Sequence, residues 1–285
     1  MNDQKTAVVV DSGCDVPEEI RRKYDIRILP FKVMYPEKEY LDAVDIDPMM
    51  VYRRFPDEIP VTSTPSPWDV EGLLKDLKEE GFENVFLFCI SDKLSGTFNT
   101  VRMVAESNDT GLHVRAVNTL NISIASGLIA VWAAEQLAMG RSFEEVDSEI
   151  ADAVRRSTVL FYMDTLDYLK KGGRIGNVGY MAVNLLNIRP IIACDKNGSY
   201  FTVAKVRGAK QARERLMREV DQYIGGRKCC LAVAEGDAHE AAMQTVDALR
   251  KKYPQCQVLY EVQIAASLAV NTGSGLLGIG ILPIE

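Results

Sequence analysis

A short cationic segment, Lys170–Arg174, is the part of this sequence whose residue types and spacing could do chemistry. It closes a predicted helix from Asp164 to Lys171, whose leucines have helical spacing and whose two lysines suit the last turn. Gly172 suits a left-handed helix cap. The glycine pair then places Arg174, a rigid fork of donors, where it could meet a bound anion or a partner protein. An ordinary cap followed by a solvated arginine explains the same spacing.

Polar residues also follow several predicted strands. Asp11-Ser12, Ser91–Thr97 and Asn118-Thr119 each come directly after an apolar run, and Thr62-Ser63 lies in a further polar loop. In parallel α/β sheets ligands sit beyond the carboxyl ends of the strands, where hydroxyls and backbone N–H groups can hold an anion without a lysine. Each loop alone is more simply explained as a helix cap. Together they favour a site for an anion or a small polar head group.

Catalytic motifs are scarce. Gly273–Gly278 reads GxGxxG, but a dinucleotide site needs this motif at the start of a helix, with an acidic residue about 20 positions later, and only seven residues follow here. A tight glycine turn before a terminal strand, Leu276–Leu282, explains the letters better, and its N–H groups could still cradle an anion. No P-loop, zinc-protease or serine-hydrolase motif is present. The sequence therefore favours a binding protein over an enzyme.

Metal and redox chemistry are not indicated. The six cysteines include no CxxC pair and most lie in apolar runs, which predicts buried free thiols in a reducing compartment. The two histidines, His113 and His239, lack metal-ligand spacing along the chain. We therefore expect no metal and no other cofactor.

The elements that position these residues alternate between strands and helices. The predicted strands are Thr6–Val10, Ile26–Val33, Asn84–Ile90, His113–Val117, Val159–Met163, Ile188–Cys194, Tyr200–Lys205, Cys229–Ala234, Val258–Ile264 and Leu276–Leu282. The predicted helices are one opening at Val16, one from about Asn121, and Asp47–Phe55, Pro67–Gly81, Asn99–Ser107, Asp164–Lys171, Lys210–Tyr223 and His239–Lys252. This order predicts a two-domain α/β protein, with an N-terminal parallel-sheet, Rossmann-like domain (1–156) and a C-terminal mixed-sheet α/β domain (157–285).

Composition limits the possible partners. The 285 residues carry a net charge of −7, which argues against a nucleic-acid or anionic-membrane binder. The longest apolar stretch, Ile122–Met139, is interrupted by polar residues and has a helical period, so we expect a buried helix and no membrane span. The N-terminal residues show no signal-peptide pattern, so we predict a cytoplasmic protein.

Five motifs together carry a resemblance to a known family. They are Thr62-Ser63 with Pro65-Ser66, Ser95-Gly96-Thr97, Leu166–Ile175, Lys205–Gly208 and Asn271–Gly275. Over nearly its whole length the chain resembles the DegV family of two-domain α/β fatty-acid-binding proteins. Several members of this family present a bound fatty acid to a separate fatty acid kinase, which phosphorylates its carboxyl group.

The resemblance implies a ligand, a site and a partner. A long-chain, palmitate-like fatty acid would thread between the domains into an apolar tunnel, and the kinase would supply any catalysis. The residues implied at the carboxylate and the mouth are Thr62, Ser63, Ser95, Gly96, Thr97, Asn271, Thr272, Gly273 and Arg174. About 14 methylenes are worth on the order of 11 kcal/mol of transfer free energy, so the tail can supply the affinity even after association costs.

Two departures from the family pattern bear on the kinase. Many members carry histidine where this chain has Asn271, and an Asp-Ser pair where it has Asn118-Thr119. Asparagine can donate to a carboxylate but cannot shuttle a proton near neutral pH. We therefore expect fatty acid binding to survive and phosphorylation to be weak.

Two other classes of function stay open at this point. The same loops could serve an enzyme acting on a small carboxylated or phosphorylated metabolite, for which a shallow polar cleft would be expected. A regulatory lipid sensor is the other alternative.

Overall fold

The computed structural model describes residues 4–176, Val178 and residues 188–284, so the outer limits of the predicted domains, residues 1 and 285, lie outside the described residues. The helices of the described part are α1 (Glu18–Tyr24), α2 (Pro48–Arg54), α3 (Pro67–Glu79), α4 (Thr97–Glu106), α5 (Ser123–Ala138), α6 (Phe143–Arg156), α7 (Asp167–Lys171), α8 (Ala209–Ile224), α9 (His239–Lys252) and α10 (Ala266–Thr272). The strands are β1 (Thr6–Asp11), β2 (Ile26–Leu29), β3 (Lys32–Met34), β4 (Glu39–Leu41), β5 (Val61–Ser63), β6 (Asn84–Cys89), β7 (His113–Asn118), β8 (Thr158–Tyr162), β9 (Ile188–Cys194), β10 (Tyr200–Arg207), β11 (Cys229–Gly236), β12 (Gln257–Gln263) and β13 (Leu276–Pro283).

The N-terminal part contains a four-stranded sheet in the order β2-β1-β6-β7, and every pairing in it is parallel. In the register of the central strands, Val8 lies opposite both Ile26 and Phe86. Each of the six residues of β1 is buried, as expected for an apolar run covered on both faces. The predicted α/β class and the parallel N-terminal sheet are confirmed.

The C-terminal part contains a six-stranded sheet in the order β10-β9-β8-β13-β11-β12. Its pairings are antiparallel except for β11 with β12, so the predicted mixed sheet is also confirmed. The β9–β10 hairpin turns at Asp195–Gly198, where the sequence predicted a turn.

A small antiparallel sheet, β4-β3-β5, was not predicted. The expected strand Ile26–Val33 breaks at Pro30, which has no N–H to give to a ladder, and the chain then leaves the parallel sheet as β3. Because β5 pairs with β3, this small sheet carries Thr62 and Ser63.

Helix α5 contacts strands of both large sheets, and 12 of its 16 residues are buried. A helix that is apolar on every side needs such a position, which confirms the predicted buried helix. At Gly127 an added Cβ would lie 2.4 Å from the carbonyl oxygen of Cys14, so only glycine allows this close approach. Among the described residues, no helix is long and apolar enough to cross a membrane.

Several helix predictions were wrong. Helices α6 and α10 were missed, although Ser142 and Glu145 form a capping box before α6. Helix α7 begins at Asp167, three residues later than predicted. The left-handed residue at its end is Gly173, with φ 72°, whereas Gly172 is helical with φ −73°. The cap therefore lies one residue further along than the sequence indicated.

Candidate functional site

A cavity lies between the two large sheets, and its empty space, including the part open to solvent, is about 830 Å³. Val159 and Phe161 of β8, Ala234 of β11 and Gly278 of β13 line it from the six-stranded sheet. Ile90, directly after β6, lines it from the four-stranded sheet. These side chains are apolar, as is usual for the wall of a small-molecule site.

Thr62 and Ser63 reach the cavity from the edge strand β5, and both are half-buried. The Ser63 hydroxyl donates to the carbonyl oxygen of Thr64 at 3.1 Å. The Thr62 hydroxyl has no hydrogen-bond partner among the described residues, so it is free to donate to a ligand.

The Ser95-Gly96-Thr97 loop contributes Ser95 to the cavity wall, whereas Gly96 and Thr97 do not line it. The Ser95 Oγ lies 2.8 Å from Thr97 Oγ1 and accepts from the Thr97 N–H at 3.3 Å. Thr97 is fully buried as the first residue of α4, and its role here is to orient Ser95. An added Cβ at Gly96 would lie 3.9 Å from the Thr64 methyl group, so this loop adjoins the one after β5.

Asn271 and Thr272 line the cavity from the last turn of α10, which contacts both β5 and α7. The Asn271 Nδ2 donates to the Ser267 carbonyl oxygen at 3.1 Å, and Thr272 Oγ1 donates to the Leu268 carbonyl oxygen at 3.1 Å. Gly273 follows with φ 68° and does not line the cavity. As predicted, the GxGxxG letters form a glycine turn before a strand rather than the start of a helix.

Gly172 and Arg174 bring the cap of α7 against this end of α10. An added Cβ at Gly172 would lie 2.1 Å from Asn271 Oδ1. The backbone N–H of Arg174 donates to the Leu169 carbonyl oxygen at 3.0 Å and closes the cap. The Arg174 side chain is exposed and lines the cavity, with Nη1 donating to the Gly172 carbonyl oxygen at 2.6 Å. Its other side-chain N–H groups have no hydrogen-bond partner within the described part of the chain and could bind an anion.

Three further side chains line the cavity that were not predicted from the sequence: Ser123, Tyr200 and Ser267. Two of them are held by buried carboxyl groups. Ser267 donates to Asp42, and Ser123 donates to Asp15. Local sequence spacing could not reveal these contacts, because Ser123 lies 108 positions from Asp15 and Ser267 lies 225 positions from Asp42.

Burial controls the charge behind the cavity wall. It raises the pKa of Asp15 to about 8, outweighing the Ser123 hydroxyl and the Ala265 N–H, which both lower it. Burial likewise raises the pKa of Asp42 and of the Tyr200 phenol. At neutral pH Asp15 is therefore largely neutral.

Two of the loops expected at the ligand lie behind the cavity. Ser12 donates to Asp42 at 2.9 Å, and Asp11 accepts from the Ile90 N–H at 2.9 Å. Thr119 is fully buried and donates to the Cys89 carbonyl oxygen at 2.8 Å. Asp11, Ser12, Asn118 and Thr119 do not line the cavity, so these loops support the site rather than form it.

Arg174 is the one ionised side chain among the described residues that line the cavity. That lining holds no Asp, Glu, His or Cys, so it offers neither a carboxylate or imidazole general base nor the usual metal ligands. Hydroxyls, one amide and one guanidinium around an apolar space can hold an anion with a long apolar part.

The fold and this cavity define a class: an α/β protein of two large sheets with an apolar ligand cavity between them. The family model described as "Uncharacterised protein, DegV family" matches residues 5–283. A DegV domain-containing protein of Clostridium perfringens is 36% identical over 98% of both chains. The chain belongs to the DegV family.

Solved structures share this fold over their whole length. A DegV lipid-binding protein from Thermotoga maritima has 30% identity and a TM-score of 0.86, with 98% of this chain and 99% of that chain covered. A DegV-family protein from Thermus thermophilus, described for its fatty acid binding, has 27% identity and a TM-score of 0.89, with both chains fully covered.

Proposed function

We propose that this protein binds a long-chain fatty acid in the cavity between its two large sheets. The observation that carries the proposal is the lining, whose described residues give an apolar wall, several neutral donors and one cation, Arg174. Each buried methylene contributes about 0.8 kcal/mol, so the wall supplies the affinity. The family membership, the lipid binding described for the Thermotoga relative and the fatty acid binding described for the Thermus relative all support the proposal.

The carboxylate is held at the polar end by Thr62, Ser63, Ser95 and Asn271, next to Arg174. A carboxylate removed from water is costly unless donors surround it, and hydrogen bonds to a charged group are worth about 1.5–3 kcal/mol each. Gly273 was also expected at the carboxylate, but its N–H donates to the Ala269 carbonyl oxygen at 2.9 Å and the residue does not line the cavity. The acyl chain runs from the polar end between an N-terminal domain (1–156) and a C-terminal domain (157–285).

A fatty acid kinase is the proposed partner. It phosphorylates the carboxyl group of the bound fatty acid at the polar end of the cavity. Arg174 supports this step because its side chain lines the cavity and is also exposed. We assign any catalysis to the kinase, since the described residues of the lining include no carboxylate or imidazole base. The metabolite-enzyme alternative would need a shallow polar cleft, which the apolar wall does not favour.

Native mass spectrometry of the purified protein, followed by extraction and lipid identification, tests the binding. We expect one fatty acid per chain, and delipidated protein should take up added palmitate. An empty protein that takes up no fatty acid would refute the proposal.

Hydroxyl-deleting variants locate the carboxylate. Thr62→Ala and Ser95→Ala should each weaken palmitate binding by roughly tenfold, the equivalent of about 1.4 kcal/mol. Ser148→Ala is the matched control, because that hydroxyl is exposed on α6 and donates only to the Glu145 carbonyl oxygen. Equal losses in all three variants would place the carboxylate elsewhere.

A further inference from the structure

Three side chains with metal-binding atoms meet on the side of the six-stranded sheet that faces away from the cavity. Glu235 lies near the end of β11, Glu261 lies on the parallel neighbour β12, and His239 is the first residue of α9. Glu261 lies opposite Val233, two residues before Glu235, so the two glutamates project from the same face. Ala234, which lines the cavity, projects from the other face.

The three side chains converge closely. One ligand atom from each residue lies within 4.8 Å of the other two. The His239 Nδ1 lies 3.6 Å from Glu261 Oε1, and the histidine side chain is 71% exposed, so its ring has room to turn. The expectation of no metal came from spacing along the chain, which did not connect Glu261, 22 positions beyond His239, with the other two.

Glu235 has one carboxylate oxygen left for a further ligand. The residue is only 4% exposed. Its Oε2 accepts from the Ala238 N–H at 2.6 Å, while its Oε1 has no hydrogen-bond partner in the described part of the chain. No lysine or arginine of the described residues pairs with Glu235 or Glu261, and His239 is the one basic partner. A buried carboxylate beside a second carboxylate is costly unless a cation compensates it.

We propose that Glu235, His239 and Glu261 form a binding site for a divalent transition-metal ion. One imidazole and two carboxylates suit zinc and its neighbours, and three protein ligands leave a coordination position for water. The ion would join the end of β11, the middle of β12 and the start of α9. The site is separate from the fatty acid cavity, and its test does not depend on lipid binding.

Cobalt(II) chloride is the probe, because its visible spectrum reports the ligands. Titration of the purified full-length protein, followed by absorption and calorimetry, should give one ion per chain and ligand-field bands without a thiolate charge-transfer band. His239→Asn and Glu261→Gln should each weaken cobalt binding at least tenfold, since even indirect partners of a metal cost 10–100-fold. His113→Asn is the matched control: it removes the other histidine, which packs on Phe143, and should bind as the wild type does.

A second readout guards against adventitious binding. Cobalt or zinc should raise the unfolding temperature of the wild type and of His113→Asn, but not of His239→Asn, because an ion that binds only the folded state stabilises it. Binding that is absent at millimolar cobalt, or unchanged in His239→Asn, would overturn the proposal. So would a thiolate band that disappears in Cys256→Ser. Glu235 would then serve only to cap α9.

Discussion

Replacing Gly172 by alanine should damage the ligand site without unfolding the cap of α7. With φ −73° and ψ −8°, Gly172 has a conformation that alanine adopts freely, and on propensity alone alanine would stabilise by about 1 kcal/mol. The added Cβ, however, would lie 2.1 Å from Asn271 Oδ1. Carbon contacts are optimal near about 3.5 Å, so the amide must move by roughly 1.4 Å.

The magnitude follows from what Asn271 does. A displaced Asn271 gives up its 3.1 Å hydrogen bond to the Ser267 carbonyl oxygen, worth about 1 kcal/mol of folding free energy. Under the proposed function it also loses its hydrogen bond to the ligand carboxylate, worth about 1.5–3 kcal/mol. We therefore expect palmitate affinity to fall roughly 10- to 150-fold, measured by calorimetry on delipidated protein.

Gly173→Ala is the matched control. At φ 72° alanine costs about 1–2 kcal/mol of stability, but its Cβ would have nothing within 4 Å, so the affinity should not change. In an Asn271→Ala background, Gly172→Ala should have no further effect on affinity, because the group it displaces is gone. Two results would refute the role assigned to Asn271. One is a wild-type palmitate affinity in Gly172→Ala, and the other is an equally large loss of affinity when Gly172→Ala is added to Asn271→Ala.

Three further predictions concern proton chemistry. Asn271→His should raise acyl-phosphate formation with a competent fatty acid kinase, and equal turnover of the two proteins would count against a role for that position. The folded-state pKa of Asp15, about 8, lies above the unfolded value of 3.8, so its stabilising effect is complete below about pH 4 and is lost as the pH rises to about 8. Urea titrations should therefore show the wild type losing stability relative to Asp15→Asn across that window, and a constant difference would contradict the raised pKa. Tyr200→Phe should keep palmitate affinity within about threefold of the wild-type value if only the ring of Tyr200 lines the cavity. A larger loss of affinity in calorimetry would show that the phenol donates to the ligand.

The large sheets were predictable because their strands are apolar runs bounded by polar turns. Strand β9 and helix α9 begin and end where the sequence placed them. The small sheet was not predictable, because β3, β4 and β5 have three residues each and no clear alternation. Helix α10 was not predicted for a related reason. It spans seven residues and is buried on nearly every side, so its sequence shows no amphipathic period.

Site residues were predictable where a sequence motif itself lines the cavity. They were not predictable where a residue matters because of a hydrogen bond to a distant segment. Thr62, Ser63, Ser95 and Arg174 were identified from motifs, and the structure brings them to one cavity. Ser267 was missed because its importance comes from Asp42, on the small sheet's loop, and from the packing of α10. Pairings of this kind depend on tertiary structure, which local sequence patterns do not encode.

The buried carboxyl groups explain how a cavity backed by acids can accept an anion. Asp15 lies behind Ser123, and if ionised it would oppose a carboxylate in the cavity. Burial, which also makes the wall suitable for an acyl chain, raises the pKa of Asp15 to about 8 and keeps it largely neutral. Among the described lining residues, Arg174 then remains as the charge that a bound anion would meet. Under the proposed function, the exclusion of water that favours the acyl tail therefore also removes a negative charge that would repel the carboxylate.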